Sequence, residues 1–97
     1  MSNNFNTVIS DLILEINQLN CFRDSAKNYG SLPDRDEVKS LLQQLVEIKE
    51  EDKELAFKAK DMMLAMHDAY GFECEGGCPA HTIAREVDTF YADKQDV

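Results

Sequence analysis

An apolar stripe from Val38 to Tyr70 constrains the fold more than any other feature of the sequence. The positions reached from Val38 by alternating steps of three and four residues are all apolar except Asp52. This spacing is typical of a long helix that packs along its length against another helix. Because neither Pro nor Gly falls within 34–70, we predict one continuous helix over that range, roughly 55 Å long.

The segment before the stripe predicts another helix, over about 5–29. Its apolar residues recur at helical spacing and cover more than half of the circumference, so this helix should lie between two neighbours. Short polar side chains from Asn4 to Thr7 suit its start, and Gly30 suits its end.

Residues 71–79 predict an irregular loop, since paired glycines and a proline disrupt both helix and strand. A short third helix is expected over about 80–92, with Pro79 suited to its first turn. Asp34 followed by Glu37 is typical of the start of the long helix. The predicted fold is a single all-α domain: a helical hairpin with one long second helix, a Cys/His/Gly loop and a short third helix folded back.

The charge balance limits the kinds of partner. The chain of 97 residues carries 19 acidic and 10 basic residues, a net charge of −9. Direct binding to nucleic acid needs clustered Lys and Arg, so we expect none. No apolar run reaches the roughly 18 residues that span a membrane, and the N-terminus lacks the features of a signal peptide. With three cysteines, an odd number, the sequence predicts a cytoplasmic protein with reduced thiols.

Four potential zinc ligands lie within 15 residues: His67, Cys74, Cys78 and His81. Zinc in structural sites takes four such ligands in a tetrahedron, and the glycines between the cysteines would let the backbone wrap an ion. A site of this kind would join two helix ends and leave no open position for chemistry. The alternative is a flexible loop with two free thiols and two surface histidines.

Cys78 and His81 could alternatively form the nucleophile and base of a catalytic site. Cys78 is expected near the start of the third helix, one turn from His81, and such a pairing favours a reactive thiol. The sequence shows neither a third orienting group nor an oxyanion site. We therefore predict no enzymatic function.

A methionine-rich segment of the long helix indicates an adaptable surface for a partner protein. Methionine fills irregular contacts and is over-used where one protein surface must adapt to another. The alternative is that these side chains form ordinary core against the third helix. The predicted partner-binding residues of this segment and the adjoining loop are Leu55, Ala59, Met62, Met63, Met66, Tyr70, Phe72 and Pro79.

Four glutamates, Glu47, Glu50, Glu51 and Glu54, would share one face of a continuous helix. Such a row of carboxylates could imitate the phosphates of a nucleic acid and compete for a basic surface. The alternative is an ordinary solvated face, since lysines are interspersed among the glutamates.

The Cys78–Pro79 bond has two interpretations. In an exposed loop flanked by glycine it could populate both isomers and be recognised by a prolyl isomerase. Alternatively, Pro79 simply begins the third helix.

The short acidic chain, the stripe from Val38 to Tyr70 and the acidic run from Glu47 to Glu54 resemble the phage-encoded anti-RecBCD accessory proteins of lambdoid phages. The resemblance implies a non-enzymatic protein in the host cytoplasm that docks on the larger RecBCD helicase–nuclease and inhibits or modulates it. It rests on whole-chain character, so no site residue is transferred. Two alternatives stay open: a zinc-stabilised helical module that regulates or self-associates as a homo-oligomer, and an acidic mimic of nucleic acid.

Overall fold

The structure is a computed structural model that describes residues 4–25, 32–70 and 77–95. These residues form helices and turns with no strand among them, which confirms the all-α class. None of the helices in these ranges is long and apolar enough to cross a membrane. The elements are α1 Phe5–Cys21, a 3-10 turn Arg23–Ser25, α2 Arg35–Val46, α3 Lys53–Ala69 and α4 Pro79–Gln95.

Helix α1 is the central element of the bundle. Its start is capped as expected, because Asn4 Oδ1 accepts a hydrogen bond from the Thr7 backbone N–H at 2.8 Å. Its apolar stripe packs against α2, α3 and α4, so the predicted position between neighbours is confirmed. The buried side chains of α1 are Val8, Ile9, Leu12, Ile16 and Leu19.

Helix α1 ends at Cys21, well before the end predicted for it. The hydroxyl of Tyr70, at the end of α3, donates a hydrogen bond to the Leu19 carbonyl. The Phe22 N–H donates to the same carbonyl at 3.1 Å and closes a turn tighter than that of an α-helix. Because this carbonyl is no longer available for a further helical turn, α1 stops here. Residues 26–30, which include the predicted last turns, lie outside the described ranges.

The prediction of one continuous helix over 34–70 is wrong, because the stripe is divided between α2 and α3. The Asp52 carboxylate accepts a hydrogen bond from the Lys49 N–H at 3.1 Å, and the Asp52 N–H donates to the Lys49 carbonyl at 2.9 Å. Short acidic side chains commonly compete with helical hydrogen bonding in this way. Tyr91 of α4 fixes the same turn, since its hydroxyl donates to the Glu50 carbonyl at 3.2 Å.

The starts of α2 and α4 follow the sequence predictions. The Asp34 carboxylate caps α2 by accepting a hydrogen bond from a first-turn N–H at 3.2 Å. Pro79 is the first residue of α4, and the Thr82 N–H donates to the Cys78 carbonyl at 3.0 Å. Helix α4 packs back on α3 and continues past its predicted end to Gln95.

An aromatic cluster closes the end of the bundle opposite the Cys/His residues. Phe5 of α1 contacts Phe90 of α4 with ring centroids 5.8 Å apart, and Phe57 of α3 contacts Tyr91 of α4 at 5.6 Å. Phe90 and Tyr91 pack edge to face at 5.0 Å. Tilted and edge-to-face arrangements are the favoured aromatic geometries. The cluster joins the start of α1 to the end of α4, so these two helices are antiparallel.

Leu12→Ala tests the core of α1, with Leu14→Ala as its matched control. Leu12 is fully buried, whereas Leu14 on the same helix is 66% exposed. Removing the buried side chain leaves a cavity and should lower the free energy of unfolding by about 2–5 kcal/mol. The exposed substitution should change it by less than about 0.5 kcal/mol. Urea denaturation followed by circular dichroism measures both, and equal losses in the two variants would contradict the packing of α1.

Tyr91 links stability to pH in the alkaline range. Burial, together with the nearby charges of Glu50 and Asp52, raises the pKa of Tyr91 above its usual value. The folded state therefore favours the neutral hydroxyl. This stabilisation is complete below the unfolded pKa of about 10 and is lost as the pH rises through the higher folded pKa.

Thermal denaturation measured from about pH 9 to about pH 12 should therefore show a smaller fall in Tm for Tyr91→Phe than for the unaltered chain. The phenylalanine variant keeps the aromatic ring and removes the titrating group. Parallel curves for the two chains would show that ionisation of Tyr91 does not contribute to alkaline unfolding.

Candidate metal centre

The packing of α3 against α4 brings three potential metal ligands together. His67 lies in the last turn of α3, Cys78 directly precedes the first residue of α4, and His81 lies in the first turn of α4. Their ligand atoms all lie within 4.8 Å of one another. These three predicted ligands therefore form a group that could hold a metal ion.

The sulfur of Cys78 lies between the two histidines. Cys78 Sγ is 3.3 Å from His67 Nε2 and 2.9 Å from His81 Nδ1. The imidazole rings meet edge to face, with centroids 5.0 Å apart and planes at 78°. His67 is buried, whereas Cys78 and His81 are half-buried. An ion can therefore reach the group from solvent, although the helices shield most of it.

These separations approach those of a tetrahedral zinc site. With Zn–S of about 2.3 Å and Zn–N of about 2.0–2.1 Å, the sulfur and nitrogen ligands of one ion lie about 3.6 Å apart. The distance of 3.3 Å between Cys78 and His67 is close to this value. The distance of 2.9 Å between Cys78 and His81 would lengthen by about 0.7 Å on binding.

Two carboxylates lie beside His67. Burial raises the pKa of the Glu15 carboxyl group on α1, and the proximity of His67 partly lowers it again. Asp68 Oδ1 is 3.7 Å from His67 Nδ1. Carboxylates near a metal site favour a bound cation electrostatically. Sequence reasoning missed Glu15, although its position in register with Leu12 and Leu19 on the buried face of α1 was a usable signal.

Cys74, the fourth predicted ligand, lies outside the described residues. Structural zinc sites take four protein ligands, whereas three protein ligands with water in the fourth position are typical of catalytic sites. A donor set of two imidazoles and one thiolate suits Zn²⁺ better than Mg²⁺ or Ca²⁺, which prefer oxygen ligands. The described residues therefore form a group that could hold a metal ion preferring nitrogen and sulfur ligands.

The same contacts would let Cys78 act as a nucleophile with His67 as its base. Such an arrangement also needs a group that orients the base through a hydrogen bond. The Asp68 carboxylate is 3.7 Å from His67 Nδ1, which is beyond hydrogen-bond distance. We favour the metal interpretation because it uses both imidazoles and the thiol as ligands, whereas a nucleophile pair would use only one of the two histidines.

The methionine-rich segment of α3 lies mostly in the core. Ala59, Met63 and Met66 are fully buried, and Tyr70 is 5% exposed. Ala59, Met63 and Met66 offer no exposed surface and Tyr70 very little, which corrects the partner-binding prediction for these residues. The alternative of ordinary core, weighed for the same residues, describes them well.

The other predicted partner-binding residues that the structure describes differ in their exposure. Leu55 and Met62 are half-buried and Pro79 is exposed, so for these three a contact with a partner stays a prediction. Phe72 lies outside the described residues. Pro79 begins α4, in agreement with the second interpretation of the Cys78–Pro79 bond, and recognition by a prolyl isomerase stays a prediction.

The four glutamates of the predicted acidic face do not share one helix face, because the helix is interrupted. Glu47 caps the end of α2, Glu50 and Glu51 lie in the turn that follows, and Glu54 is in the first turn of α3. All four are exposed. The helical row of carboxylates on which mimicry of nucleic acid depended is therefore not formed.

Comparison with known proteins identifies no relative. No family model matches the chain, and no match is found among the curated proteins or the solved structures. Function is therefore inferred from the residues and their geometry.

Proposed function

We propose that the chain is a non-enzymatic helical binding protein in which a structural zinc ion, held by His67, Cys78 and His81 and by the predicted fourth ligand Cys74, joins α3 to α4. The observation that carries the proposal is the convergence of three ligand atoms, within 4.8 Å of one another, from the adjoining ends of two helices. Thiolate and imidazole are ligand types that zinc prefers. The ion would act as a crosslink, and the surface that it holds in place would bind a partner.

A crosslink at this position would stabilise the end of the bundle opposite the aromatic cluster. His67 and Cys78 are 11 positions apart along the chain, so a shared ion closes the segment between them. Closing a loop reduces the conformational entropy of the unfolded chain and favours the folded state. A crosslink adds to the stability that the hydrophobic core of a small domain supplies.

The charge of the chain also favours a bound cation. Its 19 acidic residues outnumber its 10 basic residues. Glu15 is near enough to His67 for the two to interact electrostatically. A divalent ion at the cluster would offset part of the repulsion among the carboxylates and would add to the stability of the folded state.

Zinc binding is tested by titrating the chelator-treated chain with Co²⁺ as a spectroscopic probe and then with Zn²⁺. One equivalent of Co²⁺ should give the intense visible absorption of a tetrahedral site and a sulfur-to-metal charge-transfer band, because the site contributes a thiolate. Zn²⁺ should displace the cobalt. Cys78→Ser should lose the site, whereas Cys21→Ser should bind one equivalent normally, since Cys21 is exposed and is not part of the cluster.

The same variants provide the thermodynamic control. At about a hundred times its Kd, zinc contributes about 2.7 kcal/mol, which should raise the Tm of a domain of this size by about 10–20 °C. Cys78→Ser should show no such rise and Cys21→Ser the full rise. Less than about half an equivalent of bound metal, or equal behaviour of the two serine variants, would contradict the site. Cys74→Ser shows whether Cys74 is the fourth ligand.

The sequence resemblance predicts that the chain docks on a larger nucleic-acid-processing enzyme of the RecBCD type. Large apolar side chains exposed at Leu14, Phe22 and Val46 supply surface for such docking. A pull-down with the zinc-loaded chain from bacterial lysate should recover RecBCD in stoichiometric amount. Recovery of no stoichiometric protein would count against this partner and would leave the metal site unaffected.

A further inference from the structure

A groove of about 420 Å³ runs between α1 and α4 on the outside of the bundle. One wall comes from residues 11–18 of α1 and the other from residues 79–86 of α4. In each helix the lining positions are i, i+3, i+4 and i+7, so each wall is a single helix face about 10 Å long. We call this surface the α1–α4 groove.

The shape of the α1–α4 groove fits a third helix. A channel between two packed helices accepts the side-chain ridge of another helix laid along it. Ile83 forms a buried part of the lining, whereas Leu14 is 66% exposed and Pro79 is also exposed. At one end the groove meets an apolar hollow that shares Pro79 and includes the exposed ring of Phe22. An amphipathic helix binds such a groove by placing its own apolar residues, at i, i+3, i+4 and i+7, against the apolar part of the lining.

The charges around these apolar residues determine which sign of charge a partner helix should carry. Asp11, Glu15 and Glu86 contribute carboxylates to the lining, and the described lining residues include neither Lys nor Arg. A helix with lysines or arginines beside its apolar stripe would complement this lining. A second copy of the chain, with a net charge of −9, would be repelled by it.

We infer that the α1–α4 groove binds a basic amphipathic helix of a partner protein. The inference rests on the proposed binding function and names the chemistry of the partner. The candidate metal centre adjoins the groove, because Cys78 lies between Gly77 and Pro79, which both line it. An ion on Cys78 would therefore hold the start of the α4 wall in place.

Fluorescence anisotropy with the zinc-loaded full chain tests the inference. The probe is a labelled synthetic peptide of Lys and Leu residues arranged as an amphipathic helix, and the control peptide has the same composition in an order that is not amphipathic. The amphipathic peptide should bind at least about tenfold more tightly, because only it presents a continuous apolar stripe to the groove.

Matched variants locate the binding surface. Leu14→Ala should weaken binding by about fivefold or more, whereas Val46→Ala should leave it unchanged, since Val46 is exposed on α2, away from the groove. Asp11→Asn combined with Glu86→Gln should weaken binding at low salt and reduce its salt dependence. Glu47→Gln combined with Glu51→Gln removes the same charge outside the groove and should have little effect. Glu15 is left unaltered because it lies near His67.

Three results would overturn the inference. The first is equal binding of the two peptides, and the second is equal effects of the matched variants. The third is a homodimer in solution that Leu14→Asp dissociates, because such a dimer would assign the groove to a second copy of the chain. Zinc content is measured for every sample so that the two proposals are tested separately. A chain that binds zinc but not the peptide overturns the groove and supports the metal site. A chain that binds no zinc but shows Leu14-dependent peptide binding supports the groove and contradicts the metal site.

Discussion

A hydrogen bond from the Tyr70 hydroxyl to the Leu19 carbonyl joins the ends of α1 and α3 inside the bundle. A hydrogen bond of this kind contributes about 0.5–1.5 kcal/mol to the stability of the folded state. It determines where α1 stops and holds the last turn of α3 against it. His67 lies one turn before Tyr70, and the same contact therefore sets the position of this candidate ligand relative to Glu15 on α1.

The parts of the fold that could be predicted from the sequence depend on neighbours along the chain. The starts of α1 and α2 are set by the side chains of Asn4 and Asp34, each of which bonds an N–H within three residues. The Cys/His group could also be predicted, because its ligands lie at the two ends of one loop. Any hairpin formed by the flanking helices brings His67 and Cys78 together.

Contacts between distant residues explain what could not be predicted. Tyr70 is 51 positions from Leu19, and Tyr91 is 41 positions from Glu50, so neither contact leaves a periodic pattern in the sequence. A single helix of roughly 55 Å would also exceed the longest dimension of the molecule, 42 Å. The apolar stripe of α3 is similar in this respect. The spacing of its residues predicts that Met66 is covered, but it does not predict whether the covering residues belong to the same chain or to a partner.

Helices α1, α3 and α4 each contain 17 residues, and contacts between their ends give the bundle two poles of different character. At one pole the aromatic cluster offers hydrocarbon rings that respond mainly to temperature and solvent. At the other pole a thiol and two imidazoles offer groups that exchange protons, metals and oxidants. A change at the Cys/His residues would therefore act on one pole and on the groove beside it, whereas the aromatic contacts that join α1, α3 and α4 at the other pole would stay in place.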